Sequence, residues 1–268
     1  MLAREARTNR IQVLLALFTL ILVVTFASPL QAQSFQTVPA LSFTKAFAGA
    51  EPLPQVLTIA YSDQTTVRFN VAATTNSGGN WLTTTPGGNG CCFTPLAIQV
   101  VVTAGNLAAG TYTGQVVITN SSNGAISMTI PVTLTVAASG ATFFDDLPGK
   151  LSFSMTTNGN TATSQAIQIR NAGAGSLNWT VSASTASGTN WLTASSASGT
   201  APSTITIGVN KANLPGGGAT NGTFVGQLLF QTAGDTVTIP VAVTVGPSVF
   251  EQVNPLSFTM AFGGDKPL

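Results

Sequence analysis

Short segments of this chain recur in the same order at a near-constant spacing, and that self-similarity restricts its folds more than any other feature. Leu41-Ser42-Phe43-Thr44 returns as Leu151-Ser152-Phe153-Ser154, and Asn80-Trp81-Leu82-Thr83 returns as Asn190-Trp191-Leu192-Thr193. Thr111-Tyr112-Thr113-Gly114-Gln115 returns as Thr223-Phe224-Val225-Gly226-Gln227, and Ile130-Pro131-Val132 as Ile239-Pro240-Val241. The offsets are 110, 110, 112 and 109 residues. That period is too long for a solenoid unit and suits one whole β-sandwich of about 100 residues.

Each copy carries the strands such a domain needs. The patterns predict strands near 40–44, 55–61, 66–72, 81–85, 97–103, 112–119 and 126–136. The second copy repeats them near 150–154, 164–170, 177–183, 191–194, 203–209, 223–231 and 235–245. Turn-forming clusters lie between them, among them Asn76–Gly79, Pro86–Gly90, Ser121–Gly124 and Pro215–Gly218. In the last strand Met128, Ile130, Val132, Leu134 and Val136 alternate with polar residues and Pro131, as Val237, Ile239, Val241, Val243 and Val245 do with theirs. Period-2 alternation predicts one apolar and one wet face. Proline offers no N–H to a ladder, so Pro131 and Pro240 predict a sheet edge or a bulge there. The repeats are expected at 39–138 and 141–248. A third opening strand, Leu256-Ser257-Phe258-Thr259, follows, and Lys45–Leu53 matches Met260–Leu268. Residues 250–268 therefore read as the start of a truncated third repeat, with further domains of the same polypeptide beyond it.

Charged residues make up 6% of the chain, against about 25% in an average soluble protein. Histidine is absent. Beyond Ala32 six Lys and Arg face seven Asp and Glu, so no basic patch is available and nucleic acid is not an expected partner. At the N-terminus Arg4, Arg7 and Arg10 precede an apolar run from Ile11 to Ala27, then Ser28-Pro29-Leu30-Gln31-Ala32. Residues 1–32 read as a signal peptide cut after Ala32, with an uncleaved membrane anchor as the alternative. Secretion or display at the cell surface follows, and contact with a membrane only if the segment stays.

These motifs resemble BACON-like repeats, a bacterial immunoglobulin-like family, over residues 39–248. The resemblance rests on Leu151–Phe153, on Trp179 followed by Trp191-Leu192, on the Ser/Gly/Pro-rich stretch Ser195–Pro202, and on Gly110-Thr111-Tyr112-Thr113-Gly114. The second copy departs from it at Phe224, where the family has Tyr. The resemblance implies tandem immunoglobulin-like β-sandwiches, all-β, in an exported bacterial protein, and carbohydrate or mucin binding as proposed for the family.

Aromatic rings are the usual platforms for sugars. Here Trp81 and Trp191 are equivalent, as are Phe69 and Trp179, and Tyr112 and Phe224. Matched aromatics in a sandwich serve the core more often than a ligand, so these six read as structural. The exchange of Tyr112 for Phe224 points to the ring as the part that matters. Cys91-Cys92 has no counterpart in the second copy. A vicinal disulfide stiffening the loop beside Phe93, two free thiols, and a bridge to another chain all remain open for it. Cys91, Cys92 and Phe93 are the candidate ligand-binding residues. Two thiols without histidine make a poor metal site. Asp145-Asp146 lies in a linker, where neighbouring side chains diverge and cannot flank one bond. Neither a catalytic group, a metal site nor a cofactor is expected. The chain reads as a non-catalytic extracellular module for polysaccharide or surface-glycan binding or adhesion, with a structural spacer as the alternative.

Overall fold

The computed structural model describes residues 33–247 apart from 48, 146, 160 and 161. The expectations for residues 1–32 and 250–268 lie outside the described residues. All regular structure in the described part is β, apart from two short 3-10 turns, Lys211–Asn213 and Pro215–Gly218. Among the described residues no helix is long and apolar enough to cross a membrane.

The first copy contributes β1 (Leu41–Lys45), β2 (Gln55–Ile59), β3 (Arg68–Thr75), β4 (Leu82–Thr85), β5 (Gly88–Phe93), β6 (Leu96–Val102), β7 (Gly110–Asn120) and β8 (Ser127–Val136). The second contributes β9 (Leu151–Thr156), β10 (Gln165–Ile169), β11 (Asn178–Thr185), β12 (Leu192–Ala194), β13 (Ser198–Thr200), β14 (Ser203–Val209), β15 (Gly222–Gln231) and β16 (Thr236–Gly246). In the first copy a five-stranded sheet, β1-β8-β7-β3-β5, faces a three-stranded one, β2-β6-β4. The second reproduces both orders, as β9-β16-β15-β11-β13 and β10-β14-β12. Side chains at alternate positions turn inward from both sheets, and each copy encloses its own apolar core.

Three expectations need correction. Strands β8 and β16 are not edge strands, because β1 and β9 pair beside them in parallel. That pairing starts at Val132 and Val241, one residue after each proline, so the ladder begins only where donors are available. The stretch before each proline keeps the free edge. Second, the wet face holds for β8 but not for β16, where Thr238, Pro240 and Ala242 are buried as well. Third, the stretch from Gly88 to Phe93 is a strand and not a loop. Its glycines read as turn signals, yet it forms the outer strand of the first large sheet.

The burial of β16 has a cause in the first copy. Both copies lie in one compact unit beginning at Ser34, and the outer face of β15–β16 packs on β1, β2 and the segment before β1. The Gln36 amide donates to Thr223 O (2.7 Å) while its oxygen accepts from Val225 N (3.0 Å). Gln64 accepts from Thr223 N (2.9 Å), and Gln227 donates to Ala40 O (2.8 Å). Thr238 accepts from Ser42 N (2.9 Å) and donates to Gln55 Oε1 (2.7 Å). The free edge of β1 is thus covered by side chains of the second copy, which satisfies backbone groups that would otherwise invite another strand. The first core also begins before residue 39: Phe35 is buried edge-on against Tyr61 at 5.3 Å between ring centroids. Phe144 takes the same place in the second copy, against Phe230 at 6.0 Å.

Candidate functional site

The six repeated aromatics do not all share one environment. Phe69, Trp81, Trp179, Trp191 and Phe224 are buried. Trp81 and Trp191 use the same latch, each indole N–H donating to a carbonyl four residues earlier, Ser77 O (2.7 Å) and Ser187 O (2.9 Å). A buried indole needs such a partner. Tyr112 is only half-buried and its hydroxyl donates to Ala108 O (2.9 Å), so here the OH has a role that Phe224 does without. None of the buried rings presents a face to a ligand.

Phe93 differs. It lies 54% exposed on β5, on the solvent face of the large sheet. Strand pairing sets Arg68 opposite Phe93 and Phe69 opposite Cys92, after which the register shifts. Alternation then sends Phe69, Val71 and Cys92 into the core and leaves Arg68, Cys91 and Phe93 outside. A disulfide joins Cys91 to Cys92, tying the exposed residue of the pair to the buried one. The Arg68 guanidinium carbon stands 5.9 Å from the centroid of the Phe93 ring, a cation–π distance. Its Nε donates to Gly90 O (2.8 Å), which lays the side chain across β5. Gly90 has φ +60°, which favours glycine, and a Cβ there would come 2.8 Å from Arg68 Nη2 and displace the guanidinium. Asn70 accepts from the Gly90 amide and, at 2.9 Å, from the Ser121 hydroxyl. Thr94 closes the end of the strand, donating to Thr65 O (2.9 Å) and accepting from Val67 N (2.9 Å).

The equivalent edge of the second copy carries none of this. Asn178 pairs with Thr200 there, hydroxyl to amide oxygen at 2.7 Å, where the first copy has Arg68 and Phe93. Sequence reasoning misses Arg68. Its signal is the cross-strand pairing with Phe93, which is invisible until Gly88–Phe93 is known to be a strand.

A concavity of about 230 Å³ lies where the copies meet, lined by Phe43, Glu51, Leu53, Phe144, Leu147 and Thr238 among others. Lys45 and Glu51 pair at its rim (2.7 Å), and Glu51 also accepts from Ala104 N (2.7 Å) and Gly105 N (2.9 Å). Burial pushes the Glu51 carboxyl up, but Lys45 and the two amides outweigh it and hold it below the usual range. Beside the cleft Asp235 is buried, accepting from the Thr44 hydroxyl and from Phe144 N (2.9 Å). Burial raises its carboxyl, against the pull of the Thr44 hydroxyl and the amides of Phe144 and Thr236. Among the described residues no three His, Cys, Asp or Glu side chains gather as a metal site would require. Asp145 pairs with Arg170 (3.2 Å), and Asp146 lies outside the described residues.

Comparison with known proteins places the second copy. Residues 148–244 match the family model described as the viral BACON domain. No curated protein matches. Among solved structures, a Porphyromonas gingivalis W83 protein of unknown function aligns over 80% of this chain and 100% of its own, at 16% identity and a TM-score of 0.31. An endo-fucoidan hydrolase of glycoside hydrolase family 107 aligns over 86% of this chain but 30% of its own, at 14% identity and a TM-score of 0.28. Drosophila N-cadherin EC1-4 aligns over 80% and 49%, at 14% identity and a TM-score of 0.26. This chain therefore spans less than half of the hydrolase and of the cadherin segment. The second repeat thus matches the BACON domain model, and the first reproduces its strand order.

Proposed function

We propose that the chain is an exported, non-catalytic binding module that holds polysaccharide or surface glycan on the β3–β5 edge of its first repeat. The observation that carries this reading is Phe93, a large ring left 54% exposed on the outer strand of the first large sheet. The backbone beneath it is held by the Cys91–Cys92 disulfide and by Thr94, so little ordering is left for binding to cost. An aromatic on a rigid strand suits the apolar face of a pyranose ring. BACON domains in general are non-catalytic, which fits a chain without histidine.

The test is retardation of the full chain in affinity electrophoresis through gels carrying polysaccharides. Phe93→Ala is expected to weaken retardation by about tenfold or more, since removing a central aromatic anchor costs roughly 1–2 kcal/mol or above. Unchanged mobility of the wild-type chain in every polysaccharide would remove the binding reading.

One observation favours a spacer instead. The two repeats are joined by hydrogen bonds from Gln36, Gln64, Gln227 and Thr238, which would hold them in a fixed relation as a spacer requires. A spacer would leave Phe93→Ala without effect on any ligand, while displaying a fused domain at fixed distance.

A further inference from the structure

We propose that the β3–β5 edge selects an anionic polysaccharide, with Arg68 meeting a carboxylate or sulfate of the ligand while Phe93 takes the apolar face of a sugar ring. This rests on the binding reading above and names its substrate class.

Cations are scarce here, and most are already engaged. Lys45 is paired with Glu51, and Arg170 with Asp145. Lys211 donates to Thr157 O (2.9 Å) and Gly159 O (2.6 Å). Lys150 is half-buried, and burial lowers its affinity for a proton. Arg68 is exposed and forms no salt bridge among the described residues. Its charge therefore faces solvent without a carboxylate partner among the described residues, which leaves it open to an incoming anion.

Its placement is also fixed in advance. Nε is taken by Gly90 O, and the guanidinium carbon lies over one face of the Phe93 ring, so the two terminal nitrogens remain as a planar fork. Such a fork matches the oxygens of a carboxylate or sulfate in two-point contact. Gly90 lacks the Cβ that would push the guanidinium away. The rest of the strip, Asn70 and Ser121, is uncharged and repels no anion. The second repeat has Asn178 and Thr200 at the paired positions, so the device belongs to one copy and is not needed for the fold.

Matched pairs of polymers separate charge from sugar. The full chain is run in affinity electrophoresis against dextran and dextran sulfate, and against polygalacturonate and its methyl ester. The wild type is expected to be retarded more by the acidic member of at least one pair, by roughly threefold to tenfold for a charge-assisted contact at a wet surface. The two pairs distinguish sulfate from carboxylate. The preference shrinks as salt is raised, since an exposed pair is screened. Arg68→Gln removes the preference and keeps retardation by the neutral polymers. Arg68→Lys keeps the charge without the fork and falls between. Both variants are checked for an unchanged circular dichroism spectrum. Equal retardation by acidic and neutral members, or a preference that survives Arg68→Gln, overturns the anionic assignment and leaves the binding reading intact. Retardation by none of the four removes both.

Discussion

Trp179 and Gly199 illustrate how the two copies fill one space with different residues. Both pair across strands where the first copy has Phe69 and Cys92. A Cβ on Gly199 would sit 2.6 Å from Cζ2 of the Trp179 indole, so the larger ring requires the absent side chain. The smaller ring of Phe69 leaves room for a buried sulfur, and Cys92 supplies it. Total volume is kept while the partners change. Gly199→Ala is therefore expected to cost about 1–3 kcal/mol in urea unfolding, the usual range for overpacking. In a Trp179→Phe background the same substitution should cost less than half as much, because the clash has gone. Additive losses in that double-mutant cycle would show that the two sites are independent. The equivalence of Phe69 and Trp179 was readable from their spacing. The partner Gly199 was not, since Ser198-Gly199-Thr200 has no apolar period to announce a strand.

Among the elements, β5 departs most from what its sequence suggests. Gly88, Asn89 and Gly90 follow Pro86-Gly87, and that cluster is ordinary turn chemistry. Tertiary pairing overrides it, because Phe69 and Val71 offer β3's free side and Cys92 fills the core beneath. The same weakness of local signal hid Arg68, whose importance depends on a neighbour supplied by β5. Long alternating strands, by contrast, were legible nearly to their ends, β8 and β16 among them, because the face turned to the repeat's own core is apolar at every second position. What alternation could not reveal was which strand lies beside them, since parallel pairing of β1 with β8 leaves no mark on either. As an outer strand with a register break, β5 is held by β3 on one side only and by its own disulfide. Reduction should therefore raise hydrogen exchange at the amides of Gly90–Phe93 while leaving β7 and β8 protected. It should also weaken retardation by polysaccharide, because Phe93 loses its fixed backbone. Equal protection in the oxidised and reduced chains would assign the rigidity of the edge to β3 alone.

On the scale of the whole molecule, the two repeats are joined by polar side chains bonded to backbone, with apolar burial around them. Gln36 fills both valences of the Thr223–Val225 segment, and Thr238 and Gln227 cover the edge of β1. Asp235 is the one ionisable group among these, bonded to Thr44 of the first repeat and to Phe144 N of its own. Burial raises its carboxyl above the ordinary value, with the Thr44 hydroxyl and the two amides only partly offsetting it. A raised acid makes the folded state hold its proton longer than the unfolded chain, whose Asp titrates near about 3.9. Below that value both states are protonated and ionisation costs nothing. As pH rises toward the folded value stability falls, and above it the whole penalty is present. Glu51 acts in the opposite sense, since its lowered carboxyl stabilises the fold above the unfolded value and loses that effect as pH falls through the folded one. Whole-chain stability therefore mixes the two, but Asp235→Asn isolates one. Its amide oxygen can still accept from Phe144 N and its nitrogen can donate to the Thr44 hydroxyl, so the joint keeps its bonds without the charge. The difference in unfolding free energy between variant and wild type, followed by urea denaturation from about pH 4 to about pH 7.5, should shift in favour of the Asp235→Asn variant as pH rises. A difference that stays constant over that range would mean that Asp235 is charged at no cost, and that the joint is indifferent to the ionisation of this buried carboxylate.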